Sequence, residues 1–69
     1  MADLNARLLA AHDAGDRRAL IDLYTEAADQ ADEVDAACFF LTHAYIYALE
    51  AGSPVAATLY ARLKAAGRA

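Results

Sequence analysis

Residues 33–51, EVDAACFFLTHAYIYALEA, are apolar almost all the way round a helix, and they restrict the fold more than any other stretch of the chain. A helix lying on a protein surface shows one apolar stripe and one polar side, whereas a helix apolar all round has neighbours on more than one side. Two apolar faces can be read here. Val34, Ala37, Cys38, Leu41, Tyr45, Ala48 and Leu49 form the first; Phe39, Phe40, His43, Ile46 and Tyr47 form the second. A helix with a single packed neighbour needs only one. Gly15 lies upstream and Gly52 stands directly after Ala51, so this segment is expected to be a central helix with others before and after it.

The flanking segments read as three more helices. Asp3 can cap the first, in which Leu4, Leu8 and Ala11 recur at helical spacing beside a stripe of Asn5, Leu9 and His12. Gly15 is the natural left-handed stop, and Asp16 caps the next helix. That second helix carries Ala19, Leu20, Leu23, Tyr24, Ala27, Ala28 and Ala31 on one side and Asp22, Glu26 and Asp29 on the other. A polar run at residues 30–33 marks a turn, with Asp32 the best-placed cap for the central helix and Asp35 in its first turn. After Gly52, Ser53 is expected at the cap and Pro54 at the first helical position, where its missing N–H costs nothing. The fourth helix presents Val55, Ala56, Leu59, Tyr60 and Leu63 on one side and ends near Gly67, with Arg62, Lys64 and Arg68 in its last turns.

The expected fold class is therefore all-α: four helices arranged as two antiparallel helix-turn-helix hairpins in a single domain over residues 1–69. The first hairpin covers about residues 3–31 and the second about 33–67. Sixty-nine residues lie near the lower limit of independent folding, where a chain buries roughly 60% of its unfolded surface. Small folds add disulfides, metals or subunits. Cys38 is the only cysteine, so an internal disulfide is impossible and oligomerisation is the remaining supplement.

Charge and composition exclude several roles. A formal charge of −4 opposes nucleic-acid binding. The longest charge-free run, residues 36–49, falls short of the ~20 apolar residues of a membrane span. The opening MADLN has no basic region followed by an apolar core, so no secretory signal is expected, and a lone free thiol suits a reducing cytoplasm. Between residues 19 and 61 every charged residue is acidic, while Arg7, Arg17, Arg18, Arg62, Lys64 and Arg68 occupy the ends. The plainest reading is a solvated acidic face. The pattern would also suit a basic partner, or a symmetric dimer in which ends meet middles.

The two halves resemble each other. AHDAGDRRALIDLY, residues 11–24, aligns with ALEAGSPVAATLY, residues 48–60, if one position is skipped, and Leu4 and Leu8 match Leu41 and Tyr45. A helix–turn–helix unit repeating at this length marks a helical solenoid. The positions Leu4, Leu8, Ala11, Gly15, Asp16, Leu20, Tyr24 and Ala27 resemble a tetratricopeptide repeat, as do Leu41, Tyr45, Gly52, Ala56 and Tyr60. The resemblance implies a right-handed stack whose first helices line a groove for a peptide or a partner's helix. By matching positions, the groove would present Asn5, Leu9 and His12 from the first unit and Phe39, Thr42, His43 and Ile46 from the second. The basic residues that clamp a carboxylate-ended peptide in this family are missing apart from Arg7, which argues against that ligand.

Signals for chemistry are weak. His12 and His43 are the only histidines, each reading as a surface or interface residue on a helix face. The acidic residues Asp29, Asp32, Glu33 and Asp35 lack the glycine a tight cation loop needs. Cys38 lies among apolar residues, where a thiol is inert. Tyr24, Tyr45 and Tyr60 read as core, and Tyr47 alone as available for contact. No phosphate loop, metal motif or nucleophile elbow occurs. The expectation is a non-enzyme without cofactor or metal: a protein-binding module that self-associates, with Asn5, Leu9, His12, Phe39, Phe40, Thr42, His43, Ile46 and Tyr47 at the interface. The alternative is a purely structural homo-oligomeric bundle with no external ligand. Stacks of helical repeats need about three units, so a two-unit stack leaves a face for a second copy.

Overall fold

The computed structural model describes residues 3–67, and every regular element among them is an α-helix. The four are α1 (Leu4–Ala14), α2 (Arg17–Gln30), α3 (Val34–Ala51) and α4 (Val55–Ala65). Arg68, expected in the last turn of α4, lies outside the described residues.

Capping chemistry places the first helices. The Asp3 carboxylate accepts from the Ala6 N–H at 2.8 Å, and that of Asp16 from the Ala19 N–H at 3.1 Å. Each satisfies one of the donors that a helix start leaves unpaired. Helices α1 and α3 end alike. Gly15 and Gly52 both sit at φ 65°, ψ 29°, a left-handed conformation that a Cβ strains. In each, the glycine N–H and the next N–H bond back into the helix: Gly15 to His12 and Asp16 to Ala11, Gly52 to Leu49 and Ser53 to Ala48. This is the Schellman arrangement, which satisfies the last carbonyls and turns the chain sharply.

The other two joints differ from expectation. Glu33, not Asp32, stands at the cap of α3, and its side chain makes no capping hydrogen bond. Ala31 is extended after α2 ends, so Asp32 falls one residue too early to reach the first turn of α3. At the start of α4, Ser53 Oγ accepts from the Val55 N–H at 3.3 Å, and Pro54 is already helical at φ −64°, ψ −16°. Bonds three residues apart, Ala56 to Ser53 and Ala57 to Pro54, tighten this entry. The regular helix therefore begins at Val55, one residue later than expected.

Each helix packs on its neighbours in the chain: α1 on α2, α2 on α3, and α3 on α4, with α2 on α3 the most extensive pair. The result is a slab, 33 × 29 × 12 Å. Its core joins Ile21 and Ala28 of α2, Cys38, Leu41, Ala44 and Ala48 of α3, and Leu59 and Leu63 of α4. Ala44 and Ala48 have no exposed surface at all. Small residues at the centre let three helices approach closely, but they also keep the core thin. Helix α1 adds one buried residue, Ala11, while Leu4 and Leu8 are half-buried.

Ion pairs run between helices. Arg7 of α1 grips Glu26 of α2 through both terminal nitrogens. Arg17 Nε of α2 donates to Glu50 of α3 at 3.1 Å, and Arg62 of α4 to Asp29 of α2 at 2.7 Å. The separation of basic ends from an acidic middle thus closes within one chain. The expectation that ends of one chain meet the middle of another loses its electrostatic ground for these three residues. All six side chains are substantially exposed, so each pair contributes only about 0.2–1 kcal/mol.

Candidate docking surface on the third helix

The second apolar face of α3 divides into two parts. Phe40, His43 and Tyr47 are half-buried, and Phe40 and Tyr47 pack against the core. Phe39 and Ile46 are 59% and 47% exposed. The expected interface is therefore only partly open to a partner.

What covers the first group is Tyr24 of α2. Its ring stacks on His43 at 5.1 Å and on Tyr47 at 5.9 Å between centroids, and meets Phe40 at 6.3 Å. His12 of α1 reaches the same cluster: its Nε2 lies 3.0 Å from the Tyr24 hydroxyl, and its ring meets Tyr47 edge-on at 6.1 Å. Phe39 extends the cluster outward through His43 at 4.5 Å and Phe40 at 5.4 Å. Six rings from three helices thus adjoin one another, with Tyr24 at the hub. Edge-on and offset ring pairs add roughly 0.5–1.5 kcal/mol each beyond the area they bury.

Two polar side chains here bond back to carbonyls of α3. His43 Nδ1 lies 2.9 Å from the Phe39 carbonyl oxygen, which can only accept, so Nδ1 carries the proton. Thr42 Oγ1 donates to the Cys38 carbonyl at 2.8 Å. Burial pushes the Tyr24 hydroxyl above the ordinary tyrosine value, and the neighbouring Tyr47 phenol adds to the shift. Asp35, Cys38, Phe39, Thr42 and His43 line a shallow depression of about 280 Å³, open to solvent. Among the described residues no group of three or more His, Cys, Asp or Glu side chains is placed to hold a metal ion. Cys38 is buried. Among these residues, too, no helix is long and apolar enough to cross a membrane.

Of the nine residues expected at an interface, His12, Phe39, Phe40, His43 and Tyr47 meet in the ring cluster. Asn5 and Leu9 are exposed on α1 outside it, and Thr42 and Ile46 are exposed on α3. Two tyrosine assignments change. Tyr47 packs inward, and Tyr60 is 44% exposed beside Tyr45 at 5.9 Å, whereas Tyr24, half-buried at the hub, packs against the core as expected. Leu49, placed on the core face by periodicity, is 55% exposed, and Val34 is likewise mostly open.

The missed feature is a spacing. Phe39, Thr42, Ile46 and Leu49 follow one another by three, four and three residues, the step of a coiled-coil seam, and all four are exposed. They lie on a different side of α3 from Leu41, Ala44 and Ala48, which face the core. The spacing was legible in the sequence once Leu49 was moved from one face to the other. No protein-family model matches the chain, and neither does any curated protein or solved structure.

Proposed function

We propose that this chain is a small, non-enzymatic, cytoplasmic interaction module of tetratricopeptide-like build that binds an amphipathic segment of a protein along the outer side of α3. The observation that carries the reading is the run of large apolar side chains, Phe39, Ile46 and Leu49, left about half exposed on the longest helix of so small a chain. Isolated exposed apolar residues are ordinary, but a contiguous stripe on a soluble protein marks a contact surface. The repeated glycine joint after α1 and α3 supports the comparison with helical repeats. Tyr24 and its partners support the function in another way. They pack the adjoining side of α3 against α2, so the stripe is presented on a helix already held in place.

The test is selection of displayed amphipathic helices, each about 16 residues or 24 Å long, against the immobilised folded chain. Enriched peptides are expected to repeat apolar residues at three and four positions and to lose at least about tenfold in affinity, roughly 1.4 kcal/mol, against Phe39→Glu or Ile46→Glu. Peptides that bind the parent and both variants equally would place the contact elsewhere and refute the reading.

A further inference from the structure

We infer that the occupant of this stripe is a second copy of the same chain, the two α3 helices lying side by side and antiparallel. The inference rests on the reading of the outer side of α3 as a contact surface, and it names the partner. The first argument is the symmetry of the spacing. Steps of three, four and three read the same in both directions, so a twofold axis passing beside Ala44 sets Phe39 against the partner's Leu49 and Thr42 against the partner's Ile46. A patch that complements itself in this way is what a twofold dimer requires. The large ring meets a leucine and the isoleucine meets the smaller threonine, so bulk alternates along the seam.

Two polar groups on this side are already satisfied. The Thr42 hydroxyl and the His43 Nδ1 proton are already bonded to carbonyl oxygens of their own helix, so covering them breaks no hydrogen bond to water that lacks a substitute. Charge selects the orientation. The start of α3 carries Asp32, Glu33 and Asp35, whereas its other end lies beside Arg17, which bonds Glu50 through Nε. Antiparallel helices keep the two acidic starts apart, and their macrodipoles oppose. Parallel helices would set six carboxylates together at one end. Three half-exposed apolar side chains per chain put the contact at or below the small end of specific interfaces, about 1,200 Å², so the pair dissociates on dilution.

Sedimentation equilibrium from about 1 μM to about 1 mM brackets the affinity of an interface that small. The mass is expected to rise from the 7.3 kDa of one chain to twice that value. Ile46→Glu and Leu49→Glu are expected to stay at one chain mass at the highest concentration while keeping the helical circular-dichroism signal. Val55→Glu, between α2 and α4 rather than on the outer side of α3, is expected to pair like the parent. Orientation is read from spin labels on Val34→Cys in a Cys38→Ala background. Antiparallel pairing about Ala44 separates the labels by about 30 Å, at 1.5 Å per residue, and parallel pairing by less than about 15 Å. A single-chain mass at about 1 mM, a dimer indifferent to Ile46→Glu, or the short label distance overturns the inference, the concentration being about a thousandfold above a micromolar affinity. If selected peptides still bind α3 while the chain stays single, only the choice of partner fails. If neither binds, the contact surface fails with it.

Discussion

Leu41→Ala asks the most of this architecture. Leu41 is 4% exposed on the inner side of α3, within a cluster that also holds Ala28, Cys38, Ala44 and Ala48. Burying a leucine-sized side chain removes it from water, and truncation to alanine costs that transfer plus the hole left behind, about 2–5 kcal/mol. How far the hole closes depends on its walls. Here four of the seven other cluster residues are alanine or cysteine, too short to swing into the space, so the loss belongs in the upper half of that range, about 3–5 kcal/mol. At roughly 0.05–0.15 kcal/mol per residue, the whole chain has only about 3–10 kcal/mol of stability. Urea titration followed by circular dichroism should show the midpoint falling by about a third or more, or no folded baseline. Leu49→Ala, on the same helix but 55% exposed and outside the ring cluster, should shift stability far less, by about 0.5 kcal/mol, at a few micromolar. A loss below about 1 kcal/mol for Leu41→Ala, or equal losses for both variants, would show that the two sides of α3 are not distinct as described.

Other outcomes follow from the joints and the ring cluster. Gly15→Ala and Gly52→Ala should each cost about 1–2 kcal/mol, because the strain is in the backbone and an added Cβ meets nothing within 4 Å; paired urea titrations check this, and a neutral result at either would contradict the left-handed joint. Tyr24, raised above the ordinary tyrosine value, favours the neutral folded state. Its contribution is complete below the unfolded value near pH 10 and is lost as pH rises through the folded value. Alkaline unfolding should therefore steepen above about pH 10 and flatten in Tyr24→Phe, and the late part of an absorbance titration should be lost in the same variant.

Much of the helical layout was readable because its signals are local. A left-handed position before a cap admits little but glycine, so Gly15 and Gly52 declare two joints outright. The joint between α2 and α3 has no such residue; its acidic run offers several caps, and the one at the right distance, Glu33, makes no side-chain bond. Periodicity showed that α3 is apolar on two sides, but it could not say how wide an arc each neighbour covers. Ala44, completely buried, lies between the two stripes and was assigned to neither, because alanine carries little hydropathy signal. Leu49 and Tyr60 look like core residues by spacing, yet among the described residues no helix packs over them. Tyr47 looked available until Tyr24 stacked on it across the α2–α3 contact. The ion pairs were equally hidden, since Arg17 and Glu50, like Asp29 and Arg62, are distant in sequence.

The central claim is that α3 has one side closed by its own chain and one left for another polypeptide. Methyl NMR with a soluble paramagnetic agent tests it most directly, at a concentration where the chain is single. The signals of Ile46 and Leu49 should broaden strongly while those of Leu41 and Leu59 persist, in line with exposures of 47% and 55% against 4% and 2%. Ile46 and Leu49 methyls as protected as those of Leu41 would contradict the account.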